Sequence, residues 1–156
     1  FQRVIENTED DAHPEVLRKP EVIHGIRNII QNAVDFARSS VTIQIGLDAQ
    51  TLFLEVSDDG PGYSSHLLGR LGDPFLRARR LTDTDTRRPG YKGMGLGLFI
   101  AKTLLERSGA KIEFKNGPTK LTPDNIGASV LLIWPRASIE NKSAPKNAEN
   151  PKMALT

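Results

Sequence analysis

At 156 residues, with 38% hydrophobic and 26% charged residues, the chain has the size and composition of one globular domain with a real core. A net charge of +2 is too small to argue for nucleic acid as a partner, and the absence of cysteine excludes disulfides and thiolate metal sites. His13, His24 and His66 fall at no ligand-like spacing, no apolar run approaches the ~18 residues of a membrane span, and no signal peptide is present. The chain opens on Phe1 rather than methionine, so a soluble piece of a larger protein is expected, with no membrane contact of its own.

Residues 1 to 19 combine a short apolar start, an acidic turn at Glu9-Asp10-Asp11 and a possible strand over Glu15–Lys19. Pro20 suits the first turn of a helix. From Glu21 to Ser39, Val22, Ile26, Ile30, Ala33 and Ala37 recur at helical spacing, widened by Ile23 and Ile29, and Asn28, Asn32 and Asp35 share a polar face. Val41, Ile43, Ile45 and Leu47 then alternate with polar residues. A turn at Asp48–Thr51 follows, and Leu52, Leu54 and Val56 alternate again, which predicts a β-hairpin with one buried face.

The hairpin runs into Ser57-Asp58-Asp59-Gly60-Pro61-Gly62-Tyr63, a tight turn that needs glycine. A short helix over 64–71 precedes Asp73-Pro74-Phe75. Residues 76–92 lack periodicity and carry Arg77, Arg79, Arg80, Arg87, Arg88 and Lys92, so a long, mobile, basic loop is expected. A helix from Gly95 to Arg107 capped by Gly109, a strand over 111–115, a loop over 116–126 and a buried strand over 129–134 complete the pattern. The chain from Ala137 onward reads as a disordered tail or linker, which gives a domain over 1–136 and a tail over 137–156. Helices on one face of a mixed, mostly antiparallel sheet make this an α/β (α+β) two-layer sandwich.

The stretch Gly90-Tyr91-Lys92-Gly93-Met94-Gly95-Leu96-Gly97-Leu98 is the one that core packing explains least, since each glycine costs a helix about 1 kcal/mol relative to alanine. Either a helix crosses a sheet closely there, or a glycine turn presents bare N–H groups and the positive end of the helix dipole to a phosphate. Taken alone, this stretch leaves the two readings level. No Gly-Lys-Ser/Thr is present, so it is not a Walker A loop.

Four segments in order resemble the boxes of the ATP-binding domain of sensor histidine kinases, the Bergerat fold of the GHKL superfamily. Asn28-Ile-Ile-Gln-Asn32-Ala33 is similar to the N box, Asp58-Asp-Gly60-Pro-Gly62 to the first glycine box, Asp73-Pro-Phe75 to the phenylalanine box and Gly93-Met-Gly95-Leu96-Gly97-Leu to the second glycine box. The resemblance covers about residues 15 to 135. Gln31–Ala37 and Gly95–Gly109 look further like the redox-responsive RegB/PrrB/ActS class of sensor kinases.

The resemblance implies ATP and Mg²⁺ as ligands. Asn32 is the expected metal ligand, because an amide oxygen is a hard donor that adds no charge against the triphosphate, and Asn28 supports it from one turn away. Asp58 is expected to accept from the adenine amino group, with Gly60 and Gly62 passing beneath the base. Lys92, Gly93, Gly95, Leu96 and Gly97 form the phosphate cradle, Phe75 anchors the lid, and the loop over 76–92 closes over the nucleotide.

Two departures stand out: Asp35 occupies a position where many such kinases carry a basic residue, and no histidine lies in a phosphoacceptor setting. The acceptor-histidine dimerisation domain is therefore expected upstream, and no catalytic residue is assigned within the chain. The expected partners are that domain, a response regulator and ATP, with the parent an inner-membrane sensor whose ATP-binding part is cytoplasmic. A gyrase- or chaperone-type ATPase is disfavoured because Asn28 stands where those enzymes place a water-activating glutamate. A degenerate, non-catalytic binding module is the other alternative, kept open by Asp35.

Overall fold

A computed structural model describes residues 15–74 and 96–141. Its elements are α1 (Pro20–Phe36), β1 (Val41–Leu47), β2 (Thr51–Asp58), a 3-10 helix (Ser65–Arg70), α2 (Gly97–Arg107), β3 (Lys111–Asn116), β4 (Ala128–Pro135) and a short α3 (Arg136–Ile139). The strands form one sheet in the order β1-β2-β4-β3, and every pairing in it is antiparallel. The α/β sandwich is as expected. The parallel component of a mixed sheet does not occur among the described residues.

The β1–β2 hairpin is set by Asp48, whose Oδ1 accepts from the Gln50 and Thr51 amides at 2.8 and 2.6 Å and whose Oδ2 accepts from the Thr51 hydroxyl at 2.6 Å. An aspartate that satisfies its own turn closes the hairpin without a glycine. Alternation then sends Leu52, Leu54 and Val56 of β2 and Val130, Leu132 and Trp134 of β4 into the core beneath the helices. Trp134 is fully enclosed, and its indole N–H donates to Ser108 Oγ at 2.9 Å, which gives its polar edge a partner.

The buried line of α1 is Val22, Gly25, Ile29 and Ala33, and the helix ends at Phe36, three residues before the expected Ser39. Ile23 is 45% exposed, while Ile26 and Ile30 are only partly covered, so the core stripe is rotated from the one read off the isoleucines. Gly25 causes the rotation. A Cβ there would lie 2.5 Å from Leu105 Cγ, so its bare backbone is where α2 presses against α1.

Beyond β4 the chain stays ordered as far as the described residues reach. Ile139 is 2% exposed, the Leu17 amide donates to its carbonyl at 2.8 Å, and Asn141 N–H donates to Glu15 O at 2.8 Å. Residues 137–141, which the sequence assigns to a tail, pack on the domain, with Ile139 in the core. The strand expected over 15–19 is a single bridge, Val16 to Glu140. No helix among the described residues is long and apolar enough to cross a membrane.

Candidate functional site

Chain direction brings three of the segments singled out from the sequence to one end of the sheet. Val41, the first residue after the α1–β1 connection, pairs with Asp58, the last residue of β2, so α1 ends where β2 ends. At the opposite end Leu52 pairs with Trp134, which is bonded to Ser108 just beyond the C-terminus of α2. The N-terminus of α2 therefore points back toward Asp58, and the two helices run antiparallel. Gly25 touches Leu105, and seven residues along each helix in the direction of Asp58 lie Asn32 and Leu98, about 10 Å on by helical rise. Asn32 thus comes level with the first turn of α2.

The turn after β2 is held on all sides. Asp58 is 3% exposed, and its Oδ1 accepts from Gly60 N–H at 2.9 Å and Ala128 N–H at 3.5 Å. A Cβ on Gly60 would sit 2.2 Å from the carbonyl oxygen of Phe36, so the turn lies directly on the end of α1. Gly62 has φ +73°, a left-handed conformation that favours glycine. Asn116 grips the next peptide in both directions: Tyr63 N–H donates to its Oδ1 and its Nδ2 donates to Tyr63 O, each at 2.7 Å. From the other side Gly127 packs so closely that a Cβ would be 2.1 Å from Asp58 O.

Asp59 faces outward and ties the turn to α1. Its carboxylate accepts from the backbone N–H groups of Arg38, Ser39 and Ser40 at 2.8, 3.0 and 3.2 Å and from the Ser39 hydroxyl at 2.5 Å. Partial burial pushes its pKa up, but the hydrogen bonds from the Ser39 hydroxyl and the three amides outweigh that and hold it well below the usual carboxylate range.

On α1, Asn28 and Asn32 are half-buried on the flank shared with Gly25, and neither side chain bonds another described residue. Asp35, in contrast, accepts from Gln31 Nε2 at 2.7 Å and is exposed. Leu96 and Gly97 begin α2, which has no side-chain cap, and a Cβ on Gly97 would meet nothing within 4 Å. Close packing thus does not explain Gly97, whereas it does explain Gly25. Phe75, Lys92, Gly93, Gly95 and the basic loop lie outside the described residues.

Chemically, the three segments offer what a nucleotide needs: a buried carboxylate in a glycine turn, two neutral amide oxygens, and helix N–H groups with the positive end of a dipole. Among the described residues no cluster of three or more His, Asp or Glu could hold a metal. The Asn28 and Asn32 side-chain oxygens are hard, uncharged donors of the kind that could add a ligand to a hard cation. Asn116, Asn125 and Gly127 were not anticipated, because a loop without periodicity gives no sign of what it will clasp.

Residues 18–138 match the family described as histidine kinase-, DNA gyrase B-, and HSP90-like ATPase, and the chain belongs to it. Within that family it is similar to the sensor histidine kinase RegB of Cereibacter sphaeroides, with 53% identity over 131 residues, 81% of this chain and 28% of the relative. It is more distantly similar to the sensor histidine kinase CpxA of Escherichia coli, with 26% identity over 110 residues, 70% of this chain and 21% of the relative. The chain thus spans under a third of the length of these relatives.

Among solved structures the fold resembles the catalytic domain of the histidine kinase ThkA, with TM-score 0.63, 19% identity and coverage of 85% of this chain and 77% of that one. It also resembles the mycobacterial sensor histidine kinase MprB, with TM-score 0.60, 15% identity and coverage of 86% and 82%. The chain is thus an ATPase-type domain of this family, similar in sequence to the one that sensor histidine kinases carry.

Proposed function

We propose that the chain binds Mg-ATP at the Asp58 end of the sheet and passes the γ-phosphoryl group to a histidine on the dimerisation domain of the same kinase. One observation carries this reading. Antiparallel helices bring Asn32, whose side chain bonds no other described residue, level with the start of α2, which has no side-chain cap, at the end of the sheet that holds the buried Asp58 turn. Asp58 accepts from the adenine amino group and so disfavours a base with a carbonyl there. The N–H groups at the start of α2, with Lys92, Gly93 and Gly95, receive the phosphates. Asn32 holds Mg²⁺ with Asn28 beside it, and the ion, when bound, neutralises phosphate charge.

This chain's part in the chemistry is to position the phosphoryl donor and shield it from water, with Phe75 and the basic loop as the lid. The acceptor comes from the dimerisation domain. Asn28, which cannot act as a base, supports transfer over hydrolysis. We take the parent to be a membrane-anchored, redox-responsive sensor with the nucleotide domain on the cytoplasmic side and a response regulator downstream, as the resemblance of Gln31–Ala37 and Gly95–Gly109 to that class implies. The likeness to a sensor histidine kinase supports the sensor part of it. Having no cysteine, this chain is not itself a thiol switch.

The test is to mix the chain with the histidine-bearing dimerisation domain of its kinase and γ-labelled ATP. Acid-labile, alkali-stable label on that domain, and none on this chain alone, is the expected result. Release of free phosphate with no labelled domain would turn the reading toward an ATPase.

A further inference from the structure

Glu55 occupies an unusual position. It lies mid-β2, opposite Gln44 on one side and Leu131 on the other, and points away from the helices, since its neighbours Leu54 and Val56 enter the core. On that far face it is 1% exposed and borders a cleft of about 630 Å³ whose apolar lining includes Phe53, Leu121, Leu131 and Ile133. A buried carboxylate is costly unless well bonded, and no described ion pair includes Glu55.

Its partners belong to the β3–β4 loop. Thr119 Oγ1 donates to Glu55 Oε2 at 3.0 Å, and Thr122 Oγ1 donates to Oε1 at 3.5 Å. Thr119 Oγ1 in turn accepts from the amides of Leu121 and Thr122 at 3.2 and 2.9 Å and lies 2.8 Å from Thr122 Oγ1, so the carboxylate is tied to the turn that opens the loop. From Thr122 the network continues. Asn125 N–H donates to Thr122 O at 3.2 Å, Asn125 Nδ2 donates to Ser129 Oγ at 2.8 Å, and Gly127 N–H donates to Asn125 Oδ1 at 3.0 Å. Gly127 is the residue pressed against Asp58 O, Ala128 N–H reaches Asp58 Oδ1, and Asn116 at the other end of the loop holds Tyr63.

We propose that Glu55 is a positioning residue. Acting from behind the sheet, it seats the β3–β4 loop, and through that loop it sets where Asp58 and Gly60 stand, and hence how well adenine is told from guanine. The proposal deepens the nucleotide reading above and rests on it. A leucine would fill the same apolar face at lower cost, but it would leave the loop's threonines without a fixed acceptor.

The test compares Thr119→Val, which removes the hydroxyl and keeps the shape, with Thr119→Ser, which restores it, and with Glu55→Leu. The last removes only the carboxylate, leaves Thr119 its bonds to the loop amides and is expected to follow Thr119→Val in both readouts. Two readouts are taken: amide hydrogen exchange at Gly60 and Tyr63, and the relative affinity for non-hydrolysable ATP and GTP analogues. Thr119→Val is expected to speed exchange at both amides and to cut ATP-analogue affinity about tenfold with a narrowed preference over GTP, and Thr119→Ser to return both toward wild type. A lower melting temperature with exchange and preference unchanged overturns the proposal, leaving Glu55 a structural residue only. If the wild type binds neither nucleotide, the functional reading falls and the exchange data alone decide this one. If Thr119→Val does not fold, Thr122→Val, whose bond to Glu55 is the longer, is measured in the same two ways against the same outcomes.

Discussion

Asp58 and Asp59 are neighbours at the end of β2 with different environments: Asp58 is enclosed by Gly60, Gly127 and Ala128, while Asp59 reaches out to the residues following α1. The pair shows what sequence reading can and cannot resolve at single residues. An Asp-Asp-Gly-Pro-Gly run signals a turn, and the strand period sends the first aspartate inward. That the second would cap Arg38, Ser39 and Ser40 depends on where α1 stops, which the helical period overshot.

Because Asp59 has a lower pKa folded than unfolded, its contribution is present at pH values above the ordinary carboxylate range. It is lost as pH falls through and below that range, where the unfolded chain takes up the proton first. Asp59→Asn is therefore expected to lower stability near neutral pH by about 1 kcal/mol, the size of a lost cap on a partly exposed group. The gap from wild type should close on acidification, as urea denaturation across pH would show.

At the scale of elements, glycines in α1 and α2 separate two reasons for bare backbone. Gly25 lies where Leu105 leaves no room, and Gly97 lies at an open helix start. Gly97→Ala is expected to raise stability by up to about 0.5 kcal/mol while weakening nucleotide binding, since alanine favours the helix and its methyl intrudes on the phosphate position. Thermal melting and an ATP-analogue titration on the same variant would check both signs, and unchanged binding would return Gly97 to a packing or turn role.

Most elements were legible from the sequence: the hairpin at 41–56, the helix that became α2 and the strand at 129–134. The α1 face was misread because its isoleucines outnumber what one face can bury. Ile23, Ile26, Ile30 and Val34 line an outer groove, with Ile26 and Ile30 also packed against the edge of the core, while Gly25, which carries no hydrophobic signal, marks the close contact with α2. The boxes singled out the candidate site's segments, but gave no sign of the loop that clasps the Asp58 turn, since hydrogen bonds from Asn116 and Asn125 follow no sequence period.

At the scale of the molecule, the described ends of the chain are joined. Val16 bridges Glu140, Lys19 Nζ donates to Ser138 O at 2.8 Å, and Ile139 is buried between them and the core. Ile139→Ala should cost about 2–4 kcal/mol, as for other fully buried isoleucines, and chemical denaturation would measure it. A cost below about 0.5 kcal/mol would mean that α3 is not part of the cooperative unit.

The closure also shapes the account of function. The sheet, α1 and α2 share one core that carries the Asp58 turn, and the proposed function has the phosphoacceptor approach it from another part of the kinase. Calorimetric titration of the chain with a non-hydrolysable ATP analogue, with and without Mg²⁺, tests this most directly. We expect one site that Mg²⁺ strengthens, lost in Asp58→Asn and deprived of its Mg²⁺ enhancement in Asn32→Ala. Absence of binding by the wild-type chain, or binding indifferent to both substitutions, would contradict it.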